Sequence, residues 1–325
     1  MNNVRIVSTG SSVPELIITN DMLSKLVDTS DEWITTRTGI KNRRVSVDKD
    51  TSDLATEAAV SCIKKASVKA EEIELIIVAT VTPDMFTPST ACIVQNKIGA
   101  FKASAFDINA ACSGFIYGVD VAKSLLGCGR FRNALVIGAE CLSKITNWED
   151  RSTCVLFGDA SGAVYMEVSD KPGIMKISTG AEGDKGNSLL SGALKPNNPF
   201  NRNNTSPYKD HFVKMNGQEV YRFATRVISE SIKDIFEEFN LTEKDIKLII
   251  PHQANLRIIE FASKKLNISI DKFYINLQDY GNTSSASIPL ALNEAFEKGM
   301  ISEGDKVIAV GFGGGLTYGS LLIQF

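Results

Sequence analysis

A chain of 325 residues that is 43% hydrophobic and 22% charged has an ordinary globular composition. That excludes a disordered chain, a collagen-like repeat and a disulfide-dense secreted scaffold. The length suffices to bury a substantial core without disulfides or metals, and suits two structural units or one large two-part domain. A formal net charge of −3 with both signs interspersed gives no bulk electrostatic case for nucleic acid.

The opening run Met1-Asn-Asn-Val-Arg-Ile-Val-Ser-Thr-Gly10 is too short and polar for a signal peptide's apolar region. No later stretch approaches the ~20 apolar residues that cross a bilayer, so the chain reads as soluble, reduced and cytoplasmic, with no membrane partner. Leu54, Ala55, Ala58, Ala59, Cys62, Ile63 and Ala66 recur at helical spacing. Glu71-Glu-Ile-Glu-Leu-Ile-Ile77 then predicts a buried strand after a charged turn. A strand over 103–109, a helix over 113–127, a strand at Ala134-Leu-Val-Ile-Gly138 and another after Phe157-Gly-Asp159 follow. The helix carries Phe115, Ile116, Tyr117, Val119, Val121, Ala122, Leu125 and Leu126, leaving little polar face, and so predicts burial between layers. Residues 184–210 are rich in Asn, Gly and Pro, including Pro196, Asn197, Asn198, Pro199, Asn201, Asn203, Asn204 and Pro207. Such a stretch is a linker or a functional surface loop.

The second half repeats the first. A helix carrying Val220, Phe223, Val227, Ile228, Ile232, Ile235 and Phe239 precedes the strand Lys244-Asp-Ile-Lys-Leu-Ile-Ile250. A strand over 272–277, a helix over 283–297, the strand Val307-Ile-Ala-Val-Gly311 and a strand after Phe312-Gly-Gly314 complete it. The offset from Ile77 to Ile250 equals that from Gly138 to Gly311, and one offset at two separated places marks an internal duplication. The pattern predicts a layered α/β/α/β/α sandwich of two similar halves, 1–170 and 171–325, each with one buried helix.

The six cysteines at 62, 92, 112, 128, 141 and 154 form no C-x-x-C pair, which argues against a zinc ribbon or a dithiol. With only His211 and His252 present, a Cys/His metal site would need widely separated ligands. Cys112, in Phe106-Asp-Ile-Asn-Ala-Ala-Cys-Ser-Gly-Phe115, lies where a strand ends and the buried helix begins. A helix N-terminus favours the thiolate, and the small neighbours leave room for a substrate. The other five cysteines lie inside apolar patterns and read as packing residues. His252, in Ile249-Ile-Pro-His-Gln-Ala-Asn255, sits at a strand's carboxyl end, the usual cleft of α/β sheets, whereas His211 reads as surface. Asn282 precedes Thr283-Ser-Ser-Ala-Ser287 at the start of the second buried helix and reads as the internal counterpart of Cys112, so both buried helices aim at one cavity. Phe312-Gly-Gly-Gly-Leu316 lacks a dinucleotide fingerprint, and its glycines suit backbone approach to a reacting centre, as in an oxyanion hole, or a tight turn.

Together these motifs, with Thr29-Ser-Asp-Glu-Trp-Ile-Thr-Thr-Arg-Thr-Gly39, resemble the β-ketoacyl-acyl-carrier-protein synthase III family from Thr9 to Phe325. The resemblance implies the thiolase fold, a homodimer, and the decarboxylating Claisen condensation that begins type II fatty-acid synthesis. It implies no permanently bound cofactor: acyl-CoA and malonyl carried on the phosphopantetheine of acyl carrier protein are substrates. Cys112 is then the nucleophile, His252 and Asn282 the donors to the malonyl thioester oxygen, and the N–H groups of Cys112 and Gly314 an oxyanion hole. Phe312 shields the cavity. By the same carry-over Trp33 and Arg37 sandwich the CoA adenine, Thr29 and Arg151 lie nearby, and Gly217 and Asn255 line the pantetheine tunnel. Gln253, Ala254, Asn255, Leu256, Arg257, Arg222 and Lys214, with Lys264 the weakest addition, face the carrier protein. Thr87 stands where the family often has a bulky aromatic reaching the partner's acyl pocket, which implies tolerance of primers longer or more branched than acetyl.

Within this fold thiolases use a second cysteine and elongating ketosynthases a second histidine, where this chain has Asn282. Plant-type polyketide synthases share Cys-His-Asn but are longer and lack the Trp33–Arg37 signature. A secondary-metabolite acyltransferase of the same subfamily keeps the same triad and is the nearest rival. A non-catalytic scaffold subunit would be expected to lose Cys112, and nothing in the chain positions the water that a cysteine hydrolase needs.

Overall fold

Short runs of Val, Ile, Leu and Ala bounded by charged turns form the central strands of the computed structural model, which describes residues 2–194, 200 and 211–325. In chain order the strands are β1 (Asn3–Ser12), β2 (Ile17–Thr19), β3 (Asn42–Arg44), β4 (Leu75–Ala79), β5 (Ser104–Ile108), β6 (Asn133–Glu140) and β7 (Ala160–Ser169). They continue as β8 (Ile174–Ala181), β9 (Leu189–Leu190), β10 (Lys214–Met215), β11 (Leu248–Pro251), β12 (Lys306–Gly313) and β13 (Thr317–Gln324). The helices are α1 (Asn20–Leu23), α2 (Asp31–Thr38), α3 (Thr51–Ala66), α4 (Thr90–Ile98), α5 (Gly114–Gly127), α6 (Arg151–Cys154), α7 (Gly217–Glu238), α8 (Leu256–Leu266), α9 (Leu277–Tyr280) and α10 (Ser287–Glu297). Within 184–210, residues 195–199 and 201–210 lie outside the described residues, and with them the Pro196, Asn197, Asn198, Pro199, Asn201, Asn203, Asn204 and Pro207 of the expected loop.

The duplication is visible in the sheet order. One sheet runs β1-β7-β6-β4-β5 and the other β8-β13-β12-β11. The equivalent pairs β4–β6 and β11–β12 are parallel, as is β4–β5, and the remaining pairs of the two sheets are antiparallel. The place of β5 is held in the second sheet by a single parallel bridge from Phe273 to Ile249. The strand expected over 272–277 is therefore not formed. Ala105 pairs with Ile76 as Phe273 bridges Ile249, so this element stands closer to its neighbouring strand in sequence than β5 does to β4. The difference is made up before the second central helix, in a longer connection that contains the single turn of α9.

Helices α5 and α10 lie between the sheets in one core with Leu75, Ile77, Val136, Val164, Leu248, Ile250, Val307 and Leu321. Helix α3 buries Ala55, Ala58, Ala59 and Cys62 on the outer face of the first sheet, and α7 and α8 cover the second with Phe223, Val227, Ile228, Ile232, Ile258 and Ile259. The result is the expected five-layer α/β/α/β/α sandwich. Each fully buried Leu, Ile or Phe side chain contributes about 1.5–3 kcal/mol. Helix α5 departs from the expected uniform burial, because Val121 and Ser124 are exposed along one edge. Among the described residues no helix is long and apolar enough to cross a membrane.

Local signals set the helix starts. Asp50 caps α3 in a reciprocal box with Asp53, worth about 1 kcal/mol. The Asp107 carboxylate accepts the N–H groups of Thr90 and Ala91, both at 2.7 Å, at the start of α4. The two central helices differ. Neither α5 nor α10 has a side-chain cap, and each is entered through a 3-10 turn, Ala111–Ser113 and Ser284–Ala286. Both turns open on a residue with positive φ, 46° at Ala111 and 49° at Ser284, a region rarely occupied except by Gly or Asn and found where a site demands it.

Candidate active site

Cys112 is the middle residue of the turn entering α5, buried and at the floor of a cavity of about 740 Å³. The cavity also receives His252, Asn282 and Phe312. Its walls include Leu189, Met215 and Tyr221, and half-buried Trp33 and exposed Arg37 stand at its rim. Its interior is apolar with a few convergent polar groups, the usual character of a small-molecule site. The Ser284 hydroxyl and the backbone N–H groups of Gly314 and Cys112 itself act to lower the Cys112 thiol. Burial nevertheless outweighs these donors, and with the nearby Glu140 carboxyl pushes the thiol up to about 11. The expectation that the helix N-terminus favours the thiolate is thus corrected, because desolvation is the larger effect here.

His252 follows β11, with its N–H on the Val310 carbonyl at 2.7 Å and its Nδ1 2.6 Å from the Ser287 hydroxyl. Burial lowers it to about 3, so the ring is neutral at any working pH. The Phe312 ring meets it edge-on at 5.2 Å. Asn282 is fixed by its own backbone, which bonds the Leu156 carbonyl (2.8 Å) and the Gly158 N–H (3.0 Å). Its Oδ1 accepts the Ser284 N–H at 2.9 Å, which leaves the side-chain NH2 as its group available to the cavity.

The expected pairing of Cys112 with Asn282 is also corrected. The turn Ala111–Ser113 corresponds to Ser284–Ala286, so the counterpart of Ala111 is Ser284, that of Cys112 is Ser285, and that of Asn282 is Asn109. Asn109 Oδ1 accepts the Ala111 N–H at 3.3 Å, as Asn282 does for Ser284.

At the rim Trp33 carries a guanidinium on its ring from both Arg37 (4.8 Å) and Arg151 (4.9 Å). Arg151 also donates to the Asp28 carbonyl at 2.7 Å. The half-buried Thr29 has a buried hydroxyl without a protein partner. Gly217 and Asn255 line the cavity, and the Asn255 amide donates to the Arg37 carbonyl at 3.1 Å. Lys214, Arg222, Arg257 and Lys264 are exposed, Arg222 being paired with Glu219. Ala254 also lines the cavity, while Leu256 packs on the core beneath the turn at Gly39. Gln253 does not belong on a docking face. It is 1% exposed, and its amide is consumed by the Pro251 and Tyr274 carbonyls (2.8 and 3.0 Å) and by the Asn276 N–H. Thr87 is exposed and does not line this cavity. Of the cysteines read as packing, Cys62, Cys141 and Cys154 are buried, but Cys92 and Cys128 are exposed. His211 is at the surface as expected.

Four further residues matter: Gly313 belongs to the glycine run already singled out, whereas Ser284, Glu140 and Arg43 carry no local sequence signal. A Cβ at Gly313 would stand 2.6 Å from the Cys112 Cβ, so glycine there makes room for the thiol. Ser284 acts to lower the Cys112 thiol and Glu140 to raise it, and Glu140 bonds the Ser285 hydroxyl at 2.9 Å. Arg43, fully buried, donates to the carbonyls of Ile18 (3.2 Å) and Val155 (2.9 Å) and to Asn20 Oδ1 (2.8 Å). It thereby ties the segment that anchors Asn282 to the start of the helical layer carrying Trp33.

Two α/β halves fused into five layers around paired central helices make this a thiolase-fold enzyme. Residues 106–183 match the family model for 3-oxoacyl-[acyl-carrier-protein (ACP)] synthase III, and 236–325 match the model for its C-terminal part. The chain is 52% identical over 325 residues to the β-ketoacyl-[acyl-carrier-protein] synthase III of Clostridium acetobutylicum, covering 100% of this chain and 99% of that protein. The crystal structure of 3-oxoacyl-[acyl-carrier-protein] synthase III from Aquifex aeolicus VF5 is similar with a TM-score of 0.92 at 44% identity, covering 99% of this chain and 100% of that one. The priming β-ketosynthase of the R1128 polyketide biosynthetic pathway is similar at 0.91 and 30% identity, covering 100% of this chain and 96% of that one. The chain belongs to the β-ketoacyl-acyl-carrier-protein synthase III family and is an acyltransferase of the condensing type.

Proposed function

We propose that the chain condenses an acyl-CoA primer with malonyl-acyl carrier protein, giving 3-oxoacyl-acyl carrier protein, CoA and CO2 through an acyl-Cys112 intermediate. The observation that carries this reading is the convergence of Cys112, His252 and Asn282 on one cavity whose rim bears Trp33 and Arg37. The Cys112 sulfur attacks the primer carbonyl, the bond to the CoA sulfur breaks, and the thiol proton ends on CoA. The N–H groups of Cys112 and Gly314, which act to lower the thiol, are suited to hold the oxyanion of that step. Malonyl-acyl carrier protein then loses CO2, and the carbanion attacks the acyl thioester. Cys112 leaves as the thiolate and takes a proton from solvent. With Ser287 donating to Nδ1, the neutral His252 presents an Nε2–H. That hydrogen and the Asn282 NH2 are the two donors for the enolate oxygen, a task for hydrogen-bond donors rather than for an acid. Phe312, packed on His252, keeps the donors dry and disfavours the charged malonyl carboxylate.

Trp33, Arg37, Arg151 and the unpartnered Thr29 hydroxyl suit the adenine and phosphates of CoA, and Gly217 and Asn255 the pantetheine arm. Lys214, Arg222, Arg257 and Lys264 offer positive charge to an acidic carrier protein. We assign a homodimer to the exposed edge of β5 and the adjacent apolar loop, where Met85 and Phe86 are exposed. In it Thr87 reaches the partner's cavity and leaves room for branched or longer primers.

Incubation with acetyl-CoA or isobutyryl-CoA followed by mass spectrometry tests the intermediate: label on any residue other than Cys112 sinks the mechanism. His252→Ala and Asn282→Ala are expected to spare acylation while suppressing condensation. Equal loss of both steps contradicts the division of roles. The likeness to a priming polyketide ketosynthase favours a second reading, a role in secondary metabolism. A strict preference for a dedicated carrier protein over that of fatty-acid synthesis would select it.

A further inference from the structure

Glu294 lies on α10 about two turns beyond Ser287, so the two side chains share one face of that helix. Ser287 meets His252 Nδ1 at 2.6 Å. Three donors converge on Glu294. Its Oε1 accepts the Tyr280 hydroxyl at 2.6 Å, and its Oε2 accepts the Tyr274 hydroxyl (3.0 Å) and the Asn276 side-chain amide (2.9 Å). The Tyr274 oxygen in turn accepts from the Lys298 ammonium at 2.8 Å, which leaves the phenol hydrogen for the carboxylate. Both donors of the condensation step are tied to these partners. Asn276 gives its backbone N–H to Gln253 Oε1 at 3.1 Å, and the Gln253 amide bonds the carbonyls of Pro251 and Tyr274, so the residues on either side of His252 are fixed. Tyr280 stands two residues before Asn282, and the Gly281 N–H between them bonds the Leu277 carbonyl at 2.9 Å.

We propose that Glu294 is a positioning residue for the condensation half of the reaction. Its carboxylate, with Ser287 on the same helix face, sets the His252 Nε2–H and the Asn282 NH2 at the spacing that one enolate oxygen requires. Donors to one oxygen must be held to within about 0.5 Å of the productive geometry. Glu294 does not line the cavity and so touches no reacting atom. Cys112 is carried by the turn before α5, in the other half of the chain, and none of these hydrogen bonds runs to it. The inference rests on His252 and Asn282 serving the malonyl thioester, as proposed above.

The test measures the two half-reactions separately in the full chain under single-turnover conditions: acyl-enzyme formation by intact mass, and consumption of the acyl-enzyme by malonyl-acyl carrier protein. Glu294→Ala is expected to acylate within about threefold of wild type and to condense about tenfold to a hundredfold more slowly. Glu294→Gln is expected to restore condensation to within about threefold, because its oxygen accepts from Tyr274 and Asn276 while its NH2 donates to the Tyr280 oxygen. A folded Glu294→Ala that condenses within about threefold of wild type, or that loses both steps equally, overturns the proposal. So does a Glu294→Gln as slow as Glu294→Ala. Should Glu294→Ala fail to fold, Tyr280→Phe decides: it keeps the ring, and a condensation about fivefold slower at unchanged acylation is expected, whereas unchanged condensation overturns the proposal. His252 and His211 are the only imidazoles of the chain, so 15N-histidine labelling reads the His252 ring without any substrate. Its resonances are expected to move in Glu294→Ala and to return in Glu294→Gln, and an unmoved signal overturns the proposal. Undiminished condensation in His252→Ala and Asn282→Ala would sink the proposed division of roles instead, leaving the His252 resonances to report on Glu294.

Discussion

Gly313→Ala is the smallest change that tests how the nucleophile is seated. The added Cβ would stand 2.6 Å from the Cys112 Cβ, 2.9 Å from its Sγ and 3.0 Å from its backbone N. Carbon atoms in contact prefer about 3.5–4.0 Å, so the Cys112 side chain or the β12 backbone must retreat by about 1 Å. Overpacking of this kind costs about 1–3 kcal/mol of stability, and a misplacement of about 1 Å at a reacting atom costs about a hundredfold in rate. Because Gly314 follows directly, the shift also moves its N–H away from the sulfur. The assay is the rate of acyl-enzyme formation by intact mass under single-turnover conditions, beside a thermal melt. Gly183→Ala is the control, since a Cβ there meets nothing within 4 Å, and it is expected to behave as wild type. A folded Gly313→Ala that acylates within about threefold of wild type would refute the argument that this glycine seats the nucleophile.

Trp33→Ala removes the ring held between two guanidiniums and is expected to raise KM for acyl-CoA about tenfold with kcat little changed; a fall in kcat at constant KM would contradict a binding role. His252 titrates near 6.5 unfolded and about 3 folded, so below 6.5 the unfolded chain binds a proton that the native state refuses. Stability from this group is present above that pH and lost as pH falls towards 3, at about 1.4 kcal/mol per unit; urea titrations of His252→Gln are expected to show a slope smaller by one proton, and equal slopes would refute it. Arg43→Met strands the Ile18 and Val155 carbonyls and is expected to cost about 3 kcal/mol or more, read as a lower denaturation midpoint at unchanged m-value.

The strands and most helices were legible because their signal is local. Apolar runs after charged turns, repeated at one constant offset, are enough to place β4, β6, β11 and β12. The strand expected at 272–277 was not, because the changed spacing around it preserves its apolar composition while replacing the ladder with one bridge and a helical turn. Cys112, His252 and Asn282 were legible as element ends, and the structure brings them to one cavity. Gln253 was misread because a polar residue beside a site looks accessible, whereas its amide is spent on the carbonyls of Pro251 and Tyr274. Glu140 was missed for the opposite reason: its partner Ser285 lies in the other half of the chain, and nothing in a local window distinguishes a buried acid at a strand end from an exposed one.

The duplication also explains why only one active site forms. At the offset that relates Cys112 to Ser285, His252 with Ser287 in the second half corresponds to Ala79 with Gly114 in the first, and Gly313 corresponds to Glu140. Beside Cys112 the facing strand therefore supplies a glycine, and the space left is the floor of the cavity. Beside Ser285 the facing strand supplies Glu140, which with Thr80 and Thr82 fills the equivalent space with hydrogen-bonded side chains. Where the second half has a histidine and a serine in contact at 2.6 Å, the first has two small residues, and a Cβ on Gly114 would come within 3.0 Å of Ala79. A cysteine placed at Ser285 would consequently meet a carboxyl instead of a cavity, and would have no imidazole opposite it. The two halves share a backbone, but the chemistry is divided between them. One half carries the nucleophile on the strained turn, and the other contributes the donors, which work only because the glycines of β12 let the turn come close.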